Sequence, residues 1–172
     1  MAPALQLIRF KFRRDNVNST LYRSEVAVIS ASAAIEEAAK LMRDYHVGSV
    51  VVVESTPDGA VSPIGLLTDR DIVIEVIAEG VNINKVRVKD IMSHAPITAH
   101  HTASLDDLVK IMREGQVRRL PIVDDKNQLV GFVSFDDLLE RVGQEIASLS
   151  QLSQNQLKLE KEIRPARAVR LT

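Results

Sequence analysis

Gly65-Leu66-Leu67-Thr68-Asp69-Arg70-Asp71 and Gly131-Phe132-Val133-Ser134-Phe135-Asp136-Asp137 are two versions of one device. Each is an apolar segment that ends in a hydroxyl, with an aspartate three residues later. A hydroxyl at a strand-to-helix corner can cap the helix and face a phosphate, while a carboxylate one turn on can accept from both hydroxyls of a ribose. Two such corners predict two nucleotide clefts.

The surroundings of the corners repeat as well. The stretch from Ile35 to Arg43 aligns with Leu105 to Arg113, and Val47 to Glu54 then falls on Val117 to Asp124 without a gap. Only the next turn differs in length, Ser55 to Pro63 in the first copy against Asp125 to Gln128 in the second. Each copy reads strand, helix, strand, turn, strand, helix.

Apolar residues recur at three and four along the first helix of each copy: Ile35, Ala38, Ala39, Met42 and Tyr45, then Leu105, Leu108, Val109 and Met112. Ser104 with Asp107 reads as a capping pair at the start of the second of these. The strands that follow, Val50 to Val53 and Leu120 to Val123, are almost unbroken apolar runs, which predicts burial on both faces. After the corners, Ile72, Val73, Val76 and Ile77 in one copy and Leu138, Leu139 and Val142 in the other return to helical spacing. Gly80 is expected to close the first of these helices; Gly143 either closes the second or lies inside a helix that continues to Ile146. Asn82 to Met92, with Lys85, Arg87 and Lys89 alternating along it, reads as an extended, solvated linker. Neither copy has enough strands to cover its apolar helices, so the two are expected to pack across an approximate twofold axis with the clefts between them.

Composition narrows the function. The 172 residues carry a formal net charge of −1, which argues against a broadly basic nucleic-acid-binding surface. With no cysteine there is no disulfide framework, thiolate metal site or cysteine nucleophile. The absence of a long apolar run predicts no membrane span, and the start of the chain carries no signal-peptide pattern, so the cytoplasm is the expected location. No nucleophile with a neighbouring base and no Walker-type glycine-rich loop is found, so the chain is not expected to be an enzyme.

The two Gly-x-x-Thr/Ser-x-x-Asp corners, the units ending in Leu41-Met42 and Ile111-Met112, the run Val117 to Val123 and the triplet Asp90-Ile91-Met92 together resemble a tandem pair of cystathionine β-synthase (CBS) domains, over roughly Glu25 to Val142. The resemblance implies an α/β (α+β) fold of two pseudo-symmetric β-α-β-β-α repeats packed as one module. It places a leader at 1–24, the first repeat at 25–80, a linker at 81–94, the second repeat at 95–143, and a C-terminal helix and basic tail at 144–172. It also implies a regulatory module that binds AMP, ADP, ATP or S-adenosylmethionine, forms a homodimer and acts on a protein partner. Thr68 and Asp71 would then belong to one site and Ser134 and Asp137 to the other, each aspartate on ribose and each hydroxyl near phosphate or ribose. Arg118 and Arg119 stand where such pairs reach a phosphate. The first copy has Gly48 and Ser49 there instead, with Arg70 as its nearby cation. Val50, Val51, Pro121 and Ile122 are the expected adenine walls.

Simpler readings exist for each feature. A hydroxyl followed by aspartate at the third position is also an ordinary capping box, and caps and ligand groups can share atoms. Adjacent residues on a strand point to opposite faces, so at most one of Arg118 and Arg119 is expected in a given cleft. His46, His94, His100 and His101 read as solvent-exposed or capping residues, with no metal site expected. Arg9 to Arg14, interleaved with Phe10 and Phe12, reads as a loose leader, with a partner-pairing strand or an RNA-binding arm as the other choices. Gln144 to Ile163 reads as an amphipathic helix of imperfect phase that packs on a partner and stops at Pro165, and Arg164, Arg167 and Arg170 as a solvated basic tail. The competing function is a structural dimerisation or protein/RNA scaffold with empty clefts.

Overall fold

A computed structural model describes residues 5–9, 21–55 and 59–163. The chain divides into two units, Met1–Phe135 and Asp136–Thr172. In the first, β1 (Leu5–Arg9) and β2 (Glu25–Ser30) precede α1 (Ile35–Tyr45), β3 (Ser49–Ser55) and β4 (Val61–Thr68). A helix then starts as α2 (Asp69–Ile72) and widens into π-helical turns over Val73–Ala78. Next come a 3-10 turn (Ile83–Lys85), α3 (Val88–Ile91) and β5 (Ser93–His94). The second copy follows as β6 (Ala99–His100), α4 (Leu105–Gly115), β7 (Arg119–Val123) and β8 (Leu129–Ser134). The last helix, α5 (Phe135–Ile163), begins at the end of this unit.

The strands form two sheets, β1-β2-β3-β4-β5 and β6-β7-β8. In each, a parallel pair is joined by a crossover helix and a hairpin follows: β2 beside β3 and β3 antiparallel to β4, then β6 beside β7 and β7 antiparallel to β8. The apolar runs are buried on both faces, as expected. Ala27, Ile29, Val50 and Val52 enter one core with Ile35, Ala38, Leu41 and Met42 of α1, while Val26, Val28, Val51 and Val53 enter the other. Period-two alternation sends neighbouring side chains to opposite cores, and each such burial is worth about 1.5–3 kcal/mol.

The repeat extends to hydrogen bonds. His46 and Gln116 close α1 and α4 with the same left-handed φ of 53°, where glycine is usual. Val47 N donates to Met42 O, and Val117 N to Met112 O, both at 3.0 Å. Register shifts fall at Val52/Val53 and at Ile122/Val123.

Three expectations change. The linker is not a solvated strand: it is extended only around Val86 and Arg87, between two short helical turns. Val86, Val88 and Met92 are buried, and Val88 N and Lys89 N donate to Ala33 O and Ala31 O at 3.0 and 2.9 Å. Lys85, Arg87 and Lys89 take the other side of that alternation, and the buried valines tie the segment to the first copy. After the first corner, Ile72 and Val76 are buried but Val73 and Ile77 are 52% and 68% exposed. The wider π turn advances less per residue, so a three-four pattern no longer holds one face. Gly80, at φ 63°, closes that helix, whereas Gly143 lies inside α5.

The third change is in the leader. Leu5–Arg9 pairs antiparallel with β2, and Tyr22 and Arg23 form part of the second copy's packing. Arg23 N donates to Phe132 O at 2.8 Å and Phe132 N to Arg23 O at 3.0 Å. The ring of Tyr22 occupies the space that a side chain on Gly131 would need, just as Met92 does over Gly65 beside β5. Phe10 to Arg14 and residues 164–172 lie outside the described residues. In the second unit, α5 runs without interruption through the stretch from Gln144 to Ile163. Its Ile146, Leu149, Leu152, Leu157, Leu159 and Ile163 are exposed.

Candidate functional site

Strand β4 ends at Thr68, and the corner residues bond to each other. Thr68 N and Oγ1 donate to Asp71 Oδ2 at 2.8 and 2.7 Å, and Asp71 N donates back to Thr68 Oγ1 at 3.2 Å. Among the described residues, both hydrogen bonds to the Asp71 carboxylate fall on Oδ2, which leaves Oδ1 as the acceptor open to a ligand. The Thr68 proton is directed at its own aspartate, so toward a ligand the hydroxyl can only accept. Such a corner suits donors, as sugar hydroxyls are, rather than phosphate oxygens. Asp71 is half-buried.

The same box occurs at α4, where Ser104 N and Oγ donate to Asp107 Oδ2 at 3.0 and 2.6 Å and Asp107 N donates to Ser104 Oγ at 3.2 Å. There the carboxylate is exposed, and the two bonds from Ser104, side chain first and then backbone, hold its pKa below the ordinary aspartate value. Carboxylates also accept the backbone N–H at the starts of α1 and α3, Glu37 from Ala34 and Asp90 from Arg87. Capping geometry alone therefore does not mark a ligand corner. Position at a strand end and partial burial set the Thr68 corner apart.

The second corner is built from the same elements. Ser134 ends β8, half-buried, with Arg119 as its partner across the hairpin; in the first copy Ser49 faces Thr68 in the same register. Phe135 N donates to Arg118 O at 2.8 Å, and Asp69 N to Gly48 O at 3.3 Å. Asp137 lies in the first turn of α5, in the second unit.

The two arginines diverge. The Arg118 guanidinium rests over the Phe135 ring, 5.3 Å from its centroid. Arg119 reaches toward the first copy: a Cβ on Gly48 would meet Arg119 Nη2 at 3.5 Å and Asp69 Oδ2 at 3.2 Å. Glycine at 48 thus leaves room for a cation from the other repeat, which the sequence comparison of the copies does not reveal. Arg70 is exposed on α2, its backbone N–H bound to Asp69 Oδ1 at 2.8 Å.

A cavity of about 310 Å³ opens between the copies. Its border runs from Leu66 of β4 through Ser93–Ile97 to Val117, Arg118 and Arg119. Both arginines border it, contrary to the expectation of one, because Arg118 precedes β7 and is not subject to strand alternation. Leu66, Pro96, Ile97 and Val117 supply the apolar walls. Val50, Val51, Pro121 and Ile122, expected as walls, are instead buried and do not border this cavity. They sit mid-strand, where both faces are covered. The segment after β5 was missed because His94 to Ile97 carries no charged or periodic signal.

Two repeats, each a crossover and a hairpin ending at a hydroxyl corner, with a cavity between them, define a duplicated α/β module. The family model for the CBS domain matches residues 19–78 and 88–144, and the chain belongs to the CBS-domain family. It is 40% identical over 115 residues to the CBS domain-containing protein YhcV of Bacillus subtilis, a match covering 67% of this chain and 77% of that one. It is 39% identical over 118 residues to the uncharacterized protein MK0525 of Methanopyrus kandleri, a match covering 69% of this chain and 58% of that relative's length. Among solved structures, the CBS domain protein PAE2072 from Pyrobaculum aerophilum complexed with AMP superposes with a TM-score of 0.60 at 24% identity, covering 70% and 88% of the two chains. That likeness is one of fold.

Proposed function

We propose that the chain is a non-catalytic sensor that binds an adenosine compound, AMP, ADP, ATP or S-adenosylmethionine, between its two repeats and passes the ligand state to a dimer partner or a target protein. The observation that carries this reading is the cavity itself, with apolar walls at Leu66, Pro96, Ile97 and Val117 and two arginines on its border. An apolar slot takes a purine, and guanidinium groups take phosphate oxygens in charge-assisted bonds. Ser134 lies across the hairpin from Arg119, and by the Ser-x-x-Asp spacing of the motif we assign Asp137 to the ribose of the same ligand. Thr68 and Asp71 form the second site, with the open Oδ1 for the sugar and Arg119 or Arg70 as its cation.

Regulation requires differential affinity. A ligand spanning both repeats favours one spacing of their facing surfaces, and coupling of about 1–3 kcal/mol is typical of such linkage. No described helix is long and apolar enough to cross a membrane, in keeping with action in the cytoplasm. The exposed apolar residues of α5 favour a second reading, a dimerisation scaffold with empty clefts. Calorimetry separates the two. The sensor reading expects saturable binding of at least one adenosine compound that weakens in Asp137→Ala while the fold is retained. Equal affinity of the variant and the parent removes Asp137 from the site, and no heat with any of the compounds at millimolar concentration favours the scaffold.

A further inference from the structure

His100, His101 and Asp125 are drawn together at the ends of the parallel pair β6 and β7, away from the residues that border the cavity. Each offers one ligand atom, and these atoms all lie within 4.8 Å of one another. His100 ends β6 and pairs with Val123, while His101 begins the turn and its N–H donates to Val123 O at 2.9 Å. On a continuing strand the two imidazoles would point to opposite faces. The turn instead brings the ring centroids to 4.4 Å.

Asp125 is held opposite them by a tight turn. Asp124 Oδ1 accepts from Lys126 N and Gln128 N, both at 2.9 Å, and Asn127 takes a left-handed φ of 58°. His100 Nε2 lies 2.9 Å from Asp125 Oδ1, and His100 Nδ1 lies 2.7 Å from Thr102 Oγ1. We propose that His100, His101 and Asp125 form a divalent-cation site of the zinc class, with at least one coordination position open.

The donor set and its spacing support that class. Two imidazoles and a carboxylate are zinc ligands, and bonds of about 2.0–2.1 Å place tetrahedral ligand atoms roughly 3.3 Å apart. The observed span needs only small side-chain adjustments to reach this. A cation binding His100 Nε2 takes the place of a proton shared with Asp125. The Nδ1–H of the other tautomer then donates to Thr102 Oγ1, which can donate or accept, and gives up the longer 3.4 Å bond that Nδ1 accepts from Thr102 N–H. Outer-shell support of this kind fixes the orientation of a ligating imidazole.

The test uses the untagged full chain, without nucleotide, in a buffer that does not bind metal. Cobalt(II) serves as the probe through its visible d–d absorption, with zinc(II) as competitor. The proposal expects saturation at one cobalt per chain, bleaching by one equivalent of zinc, and affinity weakened at least about tenfold in both His101→Ala and Asp125→Asn. His94→Ala, which alters a histidine on the cavity border, leaves the titration unchanged. Asp125→Asn is isosteric, and circular dichroism checks the fold of each variant. No saturable absorption at millimolar cobalt overturns the proposal, as does parent-like affinity in the His101 and Asp125 variants.

Discussion

Asp71 has two separable jobs, and substitution at the Thr68 corner tells them apart. Asp71→Ala removes the Oδ2 acceptor of two bonds from Thr68 and, with it, the open Oδ1. Thr68→Val removes the hydroxyl but keeps the Thr68 N–H to Oδ2 bond of 2.8 Å, so Oδ1 stays where it is. Loss of a cap costs about 0.5–2 kcal/mol. At about 2–4 °C per kcal/mol for a chain of this length, each variant should melt roughly 1–8 °C below the parent. Binding should respond differently. A hydrogen bond to a charged group contributes about 1.5–3 kcal/mol, so Asp71→Ala should weaken an adenosine ligand at this site by roughly 10- to 150-fold. Thr68→Val, losing only a neutral acceptor worth about 0.5–1.5 kcal/mol, should weaken it by roughly 2- to 12-fold. Differential scanning fluorimetry reads the first quantity and calorimetry on the same samples reads the second. If the two variants lose the same stability and neither changes affinity, the corner is a helix cap and nothing more.

Gly131→Ala would place a methyl group within van der Waals overlap of the Tyr22 ring and 3.0 Å from Arg23 O. Overpacking against backbone costs about 1–3 kcal/mol, so urea denaturation should show a lower midpoint at unchanged slope; an unaltered midpoint would mean that the Tyr22 segment does not clamp β8. Asp107 has a depressed pKa in the folded chain, so its stabilising contribution is complete above its unfolded value of about 3.9 and is lost as pH falls through the lower folded value. Asp107→Asn should therefore flatten the acid limb of a melting-temperature profile below about pH 4 and leave its shape unchanged near neutrality; a parallel acid limb in both proteins would refute the assignment. Arg119→Ala should weaken AMP far more than adenosine in parallel titrations, because only the phosphate meets the guanidinium; equal losses would place Arg119 outside the phosphate site.

The repeat made most of the fold legible. Ile35/Leu105, Val47/Val117 and Thr68/Ser134 each fix an element twice, and unbroken runs such as Val50 to Val53 announce a strand covered on both faces. Extending the alignment upstream would have placed Tyr22-Arg23 on Met92-Ser93, the two segments that cover Gly131 and Gly65. The linker was also readable in part, since Lys85, Arg87 and Lys89 alternate with Val86 and Val88. Other features depend on packing that spacing does not encode. The π turns after Ile72 rotate Val73 and Ile77 outward, and the reach of Arg119 toward Gly48 joins residues from different repeats. The approach of His101 to His100 depends on a turn that overrides strand alternation. The corner motif is legible but not specific, since Ser104 and Asp107 reproduce its hydrogen bonds at a helix start with an exposed carboxylate.

The most direct test of the central claim is a crystal structure of the chain grown with AMP. The account predicts purine density against Leu66, Pro96, Ile97 and Val117, with the phosphate at Arg118 or Arg119 and the ribose at one of the two hydroxyl corners. A cavity that stays empty at saturating AMP, or nucleotide bound away from both corners, would contradict it.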